Sequence, residues 1–404
     1  MRAIAPRTRT AGCRVRVSVE GGHVPKLFEE VVLSNMRLRN RFVRSATFEG
    51  MAEPDGSAKD MLVGLTEDLA KGEVGLIISS HAYVEPRGRA RASQLGVQND
   101  SLVPGLARLA GAAHAHGAKT VLQLAHGGCT ANEPVDEWVG PSAHTLPDGR
   151  SCRELSKKEI ADVVNAFRQG ARRAMEAGFD GVQIHSAHAY LLDQFLSPYF
   201  NKRTDEYGGS LVNRARIHLQ VLGAVRAEVG DRVPVLIKMN SDDFIDGGFT
   251  RTEMVEVARM LESEGITAVE ISGGTPLSPA NRGFSRPGIQ PPHEEVYYLD
   301  AAKMYKDRVS VPLVLVGGIR TYAVAQQLVE DGIADFIALS RPLIREPNLV
   351  RRWREGDTST ATCIHCNLCF GPARAGEGMY CVAQRMEQEK NAAKGGQTRF
   401  QRVE

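Results

Sequence analysis

Eight short apolar runs recur along the chain, each rich in Val, Ile or Leu: RFVRSAT at 41–47, GLIISS at 75–80, TVLQL at 120–124, GVQIH at 181–185, VLIKM at 235–239, AVEIS at 268–272, LVLVGG at 313–318 and FIALS at 336–340. Such near-continuous hydrophobicity is what a strand covered on both faces requires. Between the runs the apolar positions return with helical spacing, as in SKKEIADVVNAFRQGARRAMEAG before the fourth and RTEMVEVARMLESEG before the sixth. A short GF or GI turn after each helix leads straight into a buried strand, which is the βα repeat of a parallel sheet. Eight repeats predict an α/β fold, a single closed (β/α)8 TIM barrel over residues 25–360, rather than an open doubly wound sheet. Chemistry in such a barrel sits at the C-terminal ends of the strands.

Three segments break the rhythm, at 125–154, 186–214 and 272–296, and are rich in Gly, Pro, Asn and Asp. All follow strands on one face, so they are expected to wall a pocket there as extended loops. Residues 1–24 are a basic tail whose first 19 positions hold five arginines and no acidic residue. They suit either a ragged terminus or an organelle-targeting segment, and lack the apolar core of a secretory signal. Residues 361–404 form a cysteine-containing extension, and its polar end is expected to fray or to run along a neighbouring subunit.

The formal charge of +2 gives no broad attraction to nucleic acid or to an anionic membrane. No apolar run is long enough to span a bilayer. Seven cysteines is an odd number, and four of them crowd into 363–381 at ligand-like spacing. That pattern argues for a reducing, cytoplasmic setting over an extracellular disulfide framework.

The fourth strand ends in His185, with His188 and Tyr190 close behind. Imidazoles can donate to a carbonyl or anionic oxygen, and a phenol at the same mouth can protonate a carbon that has gained electrons. No side chain transfers hydride well, so this chemistry needs an organic cofactor. A metal reading of the two histidines lacks a neighbouring carboxylate at ligand spacing, and a purely structural reading stays open. Gln123 ends the third strand and Lys238 lies near the end of the fifth; an amide suits a heterocycle edge, and a lysine stabilises charge on a reduced ring. No GxGxxG or GxxxxGK[ST] motif occurs in a fitting context, so the barrel itself must hold any nucleotide. Gly317, Gly318, Ser340 and Arg341 stand where barrels bind phosphate, although the glycines alone would also serve a tight turn. Together these features suggest a flavin across the barrel mouth.

NRFVRSAT, GLII, LQLAHGG, HSAHAYLLDQFLSPYFNKRTDEYGGSLVNR, VGGI and SRPLIREP, in this order, resemble the Old Yellow Enzyme family of FMN-dependent NAD(P)H:flavin oxidoreductases over roughly residues 25–370. The resemblance implies that Ser45, Ala46 and Thr47 flank the flavin, that Gln123 meets its pyrimidine edge and that Lys238 lies near N1 and O2. It implies phosphate contacts from Gly317, Gly318, Ser340 and Arg341, a substrate oxygen held by His185 and His188, and Tyr190 as proton donor. His81 stands where a small residue is common; it is expected either to narrow the cofactor pocket as a further donor or to be a surface histidine. Phe48 replaces the family's Cys or Thr, and Cys129 its Arg. Asp205, Tyr207, Gly208, Gly209 and Arg214 are expected to shape their loop. The implied activity is reduction of the C=C bond of an enone or related small electrophile at the expense of NADPH or NADH; a homodimer is a family-level expectation.

Cys363, Cys366, Cys369 and Cys381 read C-x2-C-x2-C-x11-C, spacing that suits a cysteine-ligated centre, a [4Fe–4S] cube or zinc. The motif is similar to that of the dienoyl-CoA reductase and trimethylamine dehydrogenase branch, where a cluster carries electrons between FMN and a second centre. Three readings stay open: a cluster serving a separate redox partner, a structural cluster or zinc, and reduced cysteines without metal. His365, inside the motif, is a spare ligand or solvent-exposed. The competing functions are an iron-sulfur flavoprotein dehydrogenase, demethylase or dienoyl reductase, and a barrel that only binds.

Overall fold

The computed structural model describes residues 26–131, 135–289 and 291–400, so the reading of residues 1–24 as a basic tail lies outside the described residues. The predicted strands form one closed parallel barrel in chain order. They are β1 (Phe42–Arg44), β2 (Leu76–Tyr83), β3 (Lys119–Ala125), β4 (Gly181–Ser186), β5 (Val235–Asn240), β6 (Ala268–Ser272), β7 (Leu313–Leu315) and β8 (Phe336–Leu339). β8 pairs with β1 through Ala338 and Val43, which closes the ring.

Two of the surrounding helices show how local sequence sets their starts. Ser156 caps Lys157–Glu176 and Thr250 caps Arg251–Ser263, each in a reciprocal capping box with the glutamate three residues on, Glu159 and Glu253. Below the barrel a short hairpin, Val31–Leu33 with Met36–Leu38, forms one apolar cluster with Val43, Leu76, Val121, Leu236 and Phe336. The N-terminal end is thus plugged, and only the C-terminal mouth is left for chemistry.

The loop after β3 carries a small three-stranded ribbon built from Val139–Gly140, His144–Thr145 and Ser151–Glu154. A disulfide between Cys129 and Cys152 fastens this ribbon to the turn that follows β3. The reading of a reducing setting over a disulfide framework did not anticipate this bond, which joins cysteines 23 residues apart in sequence with Cα atoms 5.5 Å apart. Within the polar end, Val382–Phe400 is a helix. Among the described residues no helix is long and apolar enough to cross a membrane.

Candidate active site

One cavity at the C-terminal mouth is lined by every residue expected to serve catalysis or cofactor binding, from Ser45, Ala46 and Thr47 on one wall to Ser340 and Arg341 at the far end. The histidine end is shaped by an irregularity in β2. Ile78 pairs with Val121 and His81 with Gln123, so three residues of β2 advance against two of β3. Such a bulge re-aims side chains. Here His81 is buried and its Nε2 lies 2.7 Å from the Tyr190 hydroxyl, which overturns the surface-histidine alternative.

His185 is the last residue but one of β4, and its ring centroid is 4.5 Å from that of Tyr190 and 5.4 Å from that of His188. His188 and Ala189 both hold left-handed backbone, φ 63° and 60°, a conformation that costs a non-glycine residue about 1 kcal/mol or more. Side chains from neighbouring elements sustain it. Asn240 accepts from the His188 amide at 3.2 Å, and Asp193 accepts from the Ala189 amide at 2.7 Å. The turn places His188 Nε2 2.7 Å from the Ser272 hydroxyl at the end of β6. Burial holds His185 and His188 well below the ordinary imidazole value and brings His81 down to about 4, with Arg91 adding to the latter. Burial also raises the Tyr190 phenol. The mouth therefore presents neutral donors near pH 7.

Beneath them lies a charged layer in which two members escaped the sequence reading. Lys238 and Glu270 are direct register partners on β5 and β6, and their side chains pair at 2.9 Å, both buried. Glu270 also accepts from Ser45 at 2.5 Å and from Gln183 at 2.8 Å, and Gln183 in turn accepts from Gln123 at 2.6 Å. Lys238 additionally donates to Ser45 at 2.7 Å. The two residues proposed for the flavin's pyrimidine edge are thus locked to one buried carboxylate.

At the other end Gly318 has φ +77°, and a Cβ on it would stand 2.9 Å from the Tyr297 ring, so only glycine leaves the turn open. Ser340 shares a 2.9 Å hydrogen bond with Thr47. Arg341 donates to the carbonyl of Arg286 at 2.9 Å and to Asn367 at 2.7 Å, which ties the cavity to the cysteine segment. His365 and Asn367 both take positive φ, which turns His365 inward. His365 is buried against the cavity, with its pKa lowered to about 3 chiefly by burial, so its expected exposure is corrected. Phe48 also lines the cavity, with the Arg91 guanidinium 5.7 Å from its ring centroid.

The loop residues bond within their own loop and to the helices beside it. Arg203 makes a paired contact with Asp205, Tyr207 donates to Gln220, and Arg214 bridges to Glu253. Cys363, Cys366, Cys369 and Cys381 are free of disulfides and together line a small separate cavity that also touches Arg341. No three His, Cys, Asp or Glu side chains among the described residues are placed to hold a metal ion.

A parallel barrel whose mouth sets neutral donors above a buried Lys–Glu pair, with a glycine turn and an arginine at one end, defines an oxidoreductase barrel of the flavin-binding class. The chain belongs to the NADH:flavin oxidoreductase / NADH oxidase family, whose profile matches residues 26–359. FMN and NAD(P)H are that family's cofactors. The chain is similar to an NADH oxidase of Thermoanaerobacter brockii, 34% identical over 86% of this chain and 54% of the relative. It is also similar to a 4,4'-dithiodibutanoate disulfide reductase of Rhodococcus erythropolis, 33% identical over 86% of this chain and 92% of the relative. Among solved structures it is similar to a 2-naphthoyl-CoA reductase complex, with TM-score 0.82 and 30% identity over 88% of this chain and 56% of the other. The chain thus spans about half the length of some relatives and nearly all of others.

Proposed function

We propose that this oxidoreductase reduces the activated C=C bond of α,β-unsaturated carbonyl compounds with electrons from NAD(P)H. The reading is carried by the convergence of His185, His188 and Tyr190 on one cavity with the glycine turn and Arg341. The residues fit FMN: His185 Nδ1 is buried without a partner among the described residues, and the turn at Gly318 leaves room that a side chain would fill. Arg341, Gly317, Gly318 and Ser340 would hold the phosphate, Gln123 and Lys238 the pyrimidine edge, and Ser45, Ala46 and Thr47 the ring flank. When bound, FMN accepts hydride from NAD(P)H and passes it on to the substrate.

His185 and His188 grip the substrate's carbonyl oxygen as neutral donors and stabilise it as it becomes enolate-like. Tyr190 delivers a proton to the α-carbon. Gln183 and Glu270 hold Gln123, Ser45 and Lys238 in place from below. Purified protein loaded with FMN under anaerobic conditions should bleach with NADPH or NADH and recover its absorbance with 2-cyclohexenone. Bleaching with no recovery by any simple enone would remove the ene-reductase reading and leave only the family-level activity.

A second reading has its own observation. Four cysteines free of disulfides line one cavity, and Arg341 touches both that cavity and the proposed flavin site. Tetrahedral zinc at about 2.3 Å per sulfur gathers four thiolates closely, an arrangement the described residues lack. A [4Fe–4S] cube also takes four cysteine thiolates, here spaced C-x2-C-x2-C-x11-C. The chain would then be an iron-sulfur flavoprotein that exchanges electrons with a separate partner. Iron and acid-labile sulfide near four of each per chain in anaerobically purified protein would support this reading, and their absence would remove it.

A further inference from the structure

We propose that His81 is the positioning residue for the proton donor: its Nε2–H donates to the Tyr190 oxygen, leaving the phenolic proton free to enter the cavity and stabilising the phenolate that remains after transfer. The inference rests on the reading of Tyr190 as proton donor. It begins with the bulge in β2, where the extra residue between Ile78 and His81 brings His81 level with Gln123 at the mouth. His81 Nε2 and the Tyr190 hydroxyl are then 2.7 Å apart in a buried setting, with ring centroids 5.4 Å apart.

The direction of this hydrogen bond follows from the other ring nitrogen. Among the described residues His81 Nδ1 is buried and makes no hydrogen bond of normal geometry. A buried orphan N–H is rarer than an under-satisfied acceptor, so the proton belongs on Nε2 and Nδ1 keeps its lone pair. Nε2 must then donate, and the phenol oxygen accepts. In the opposite arrangement the phenolic proton would be spent on His81 and face away from a substrate. Burial lowers His81 to about 4, so the imidazole stays neutral through the working range and keeps the same tautomer.

The proton step balances without another reactant from the protein. The O–H bond of Tyr190 breaks as a C–H bond forms at the substrate α-carbon, the electrons for the reduction come from NAD(P)H, and water later returns the proton to the phenolate. His81 keeps its own proton throughout, and its donated hydrogen bond strengthens as charge develops on the oxygen.

The test is anaerobic stopped-flow on FMN-loaded wild type, His81→Phe, His81→Gln, Tyr190→Phe and the His81→Phe/Tyr190→Phe double variant, with 2-cyclohexenone as oxidant and NADPH as reductant. His81→Phe should slow flavin reoxidation by about 10- to 100-fold, the weight of a hydrogen bond to a developing anion, and enlarge its solvent isotope effect. His81→Gln, whose amide can still donate, should recover most of that loss. In the Tyr190→Phe background the His81 change should cost nothing further, because its effect passes through the missing hydroxyl. Equal additional slowing in that background would overturn the proposal while leaving Tyr190 as the donor. Reoxidation at the wild-type rate in Tyr190→Phe would instead overturn the reading of Tyr190, and the role of His81 with it. If His81→Phe fails to retain FMN, His81→Asn replaces it: its shorter amide cannot reach Tyr190, and parity between Asn and Gln would sink the idea.

Discussion

At the histidine end of the cavity the side chains proposed to meet a substrate are held neutral, while at the glycine end a guanidinium and an open backbone turn are proposed to receive phosphate. Both ends use the same barrel mouth, yet they place charge differently. Under the histidines the charge is internal and balanced, Lys238 against Glu270 at 2.9 Å. At the glycine end Arg341 spends one arm on the carbonyl of Arg286 and on Asn367 and still lines the cavity. Neutral donors suit an end where negative charge appears only during reaction, since they need no counter-ion while the site waits. A permanent cation suits the phosphate dianion proposed for the glycine end.

The largest break in this contrast comes from deleting the proton at the neutral end. Tyr190→Phe removes one oxygen and keeps the ring that packs against His185 and His81. Reoxidation by enone should fall by about 10²- to 10⁴-fold, the span typical of general acid catalysis, with reduction by NAD(P)H largely intact. Stopped-flow traces of the two half-reactions check this directly. Equal losses in both would mean that the phenol serves the cavity as a whole.

A smaller effect is expected at the charged end. Arg341→Ala removes the fixed cation, and FMN affinity should weaken by about 10- to 100-fold, as for one charge-assisted hydrogen bond. Fluorescence titration of apo-protein with FMN measures it. If affinity holds but the segment after residue 360 becomes open to proteolysis, then Arg341 serves Asn367 and the carbonyl of His365, and the phosphate assignment fails.

The two ends were not equally legible. Polar residues that terminate apolar runs, such as His185 and Gln123, announce a barrel mouth, and glycines at 317 and 318 announce a turn. RFVRSAT shortens to Phe42–Arg44 because Ser45, Ala46 and Thr47 leave the ladder to line the cavity. Gln183 and Glu270 were hidden inside runs read as apolar. A carboxylate in the middle of a strand covered on both faces was nevertheless a signal, since it requires a buried partner, and Lys238 on the next strand supplies one. The inward turn of His365 and the Cys129–Cys152 bond depend on loop backbone and ribbon register, which no periodicity in the sequence encodes.

The mildest test asks whether neutrality near the histidine end carries a cost in acid. His218 lies behind β4, buried, with its Nε2 2.7 Å from the Ser186 hydroxyl, and burial lowers it to about 3. Its unfolded value is about 6.5, so between about pH 3 and 6.5 the unfolded chain binds the proton that the folded chain refuses. Stability therefore rises with pH across that window and is lost as pH falls, by up to about 1.4 kcal/mol per pH unit for one such histidine. Asp193, Asp243 and Glu49 act in the opposite sense, because burial raises them and the folded chain then binds more protons than the unfolded one. A wild-type curve alone mixes these slopes. His218→Gln keeps a group able to hydrogen-bond Ser186 but cannot titrate, so its Tm should fall less than that of the wild type between pH 7 and 5. Parallel curves for the two proteins would show that His218 takes up its proton in the folded state, and that the barrel behind the catalytic strand tolerates charge.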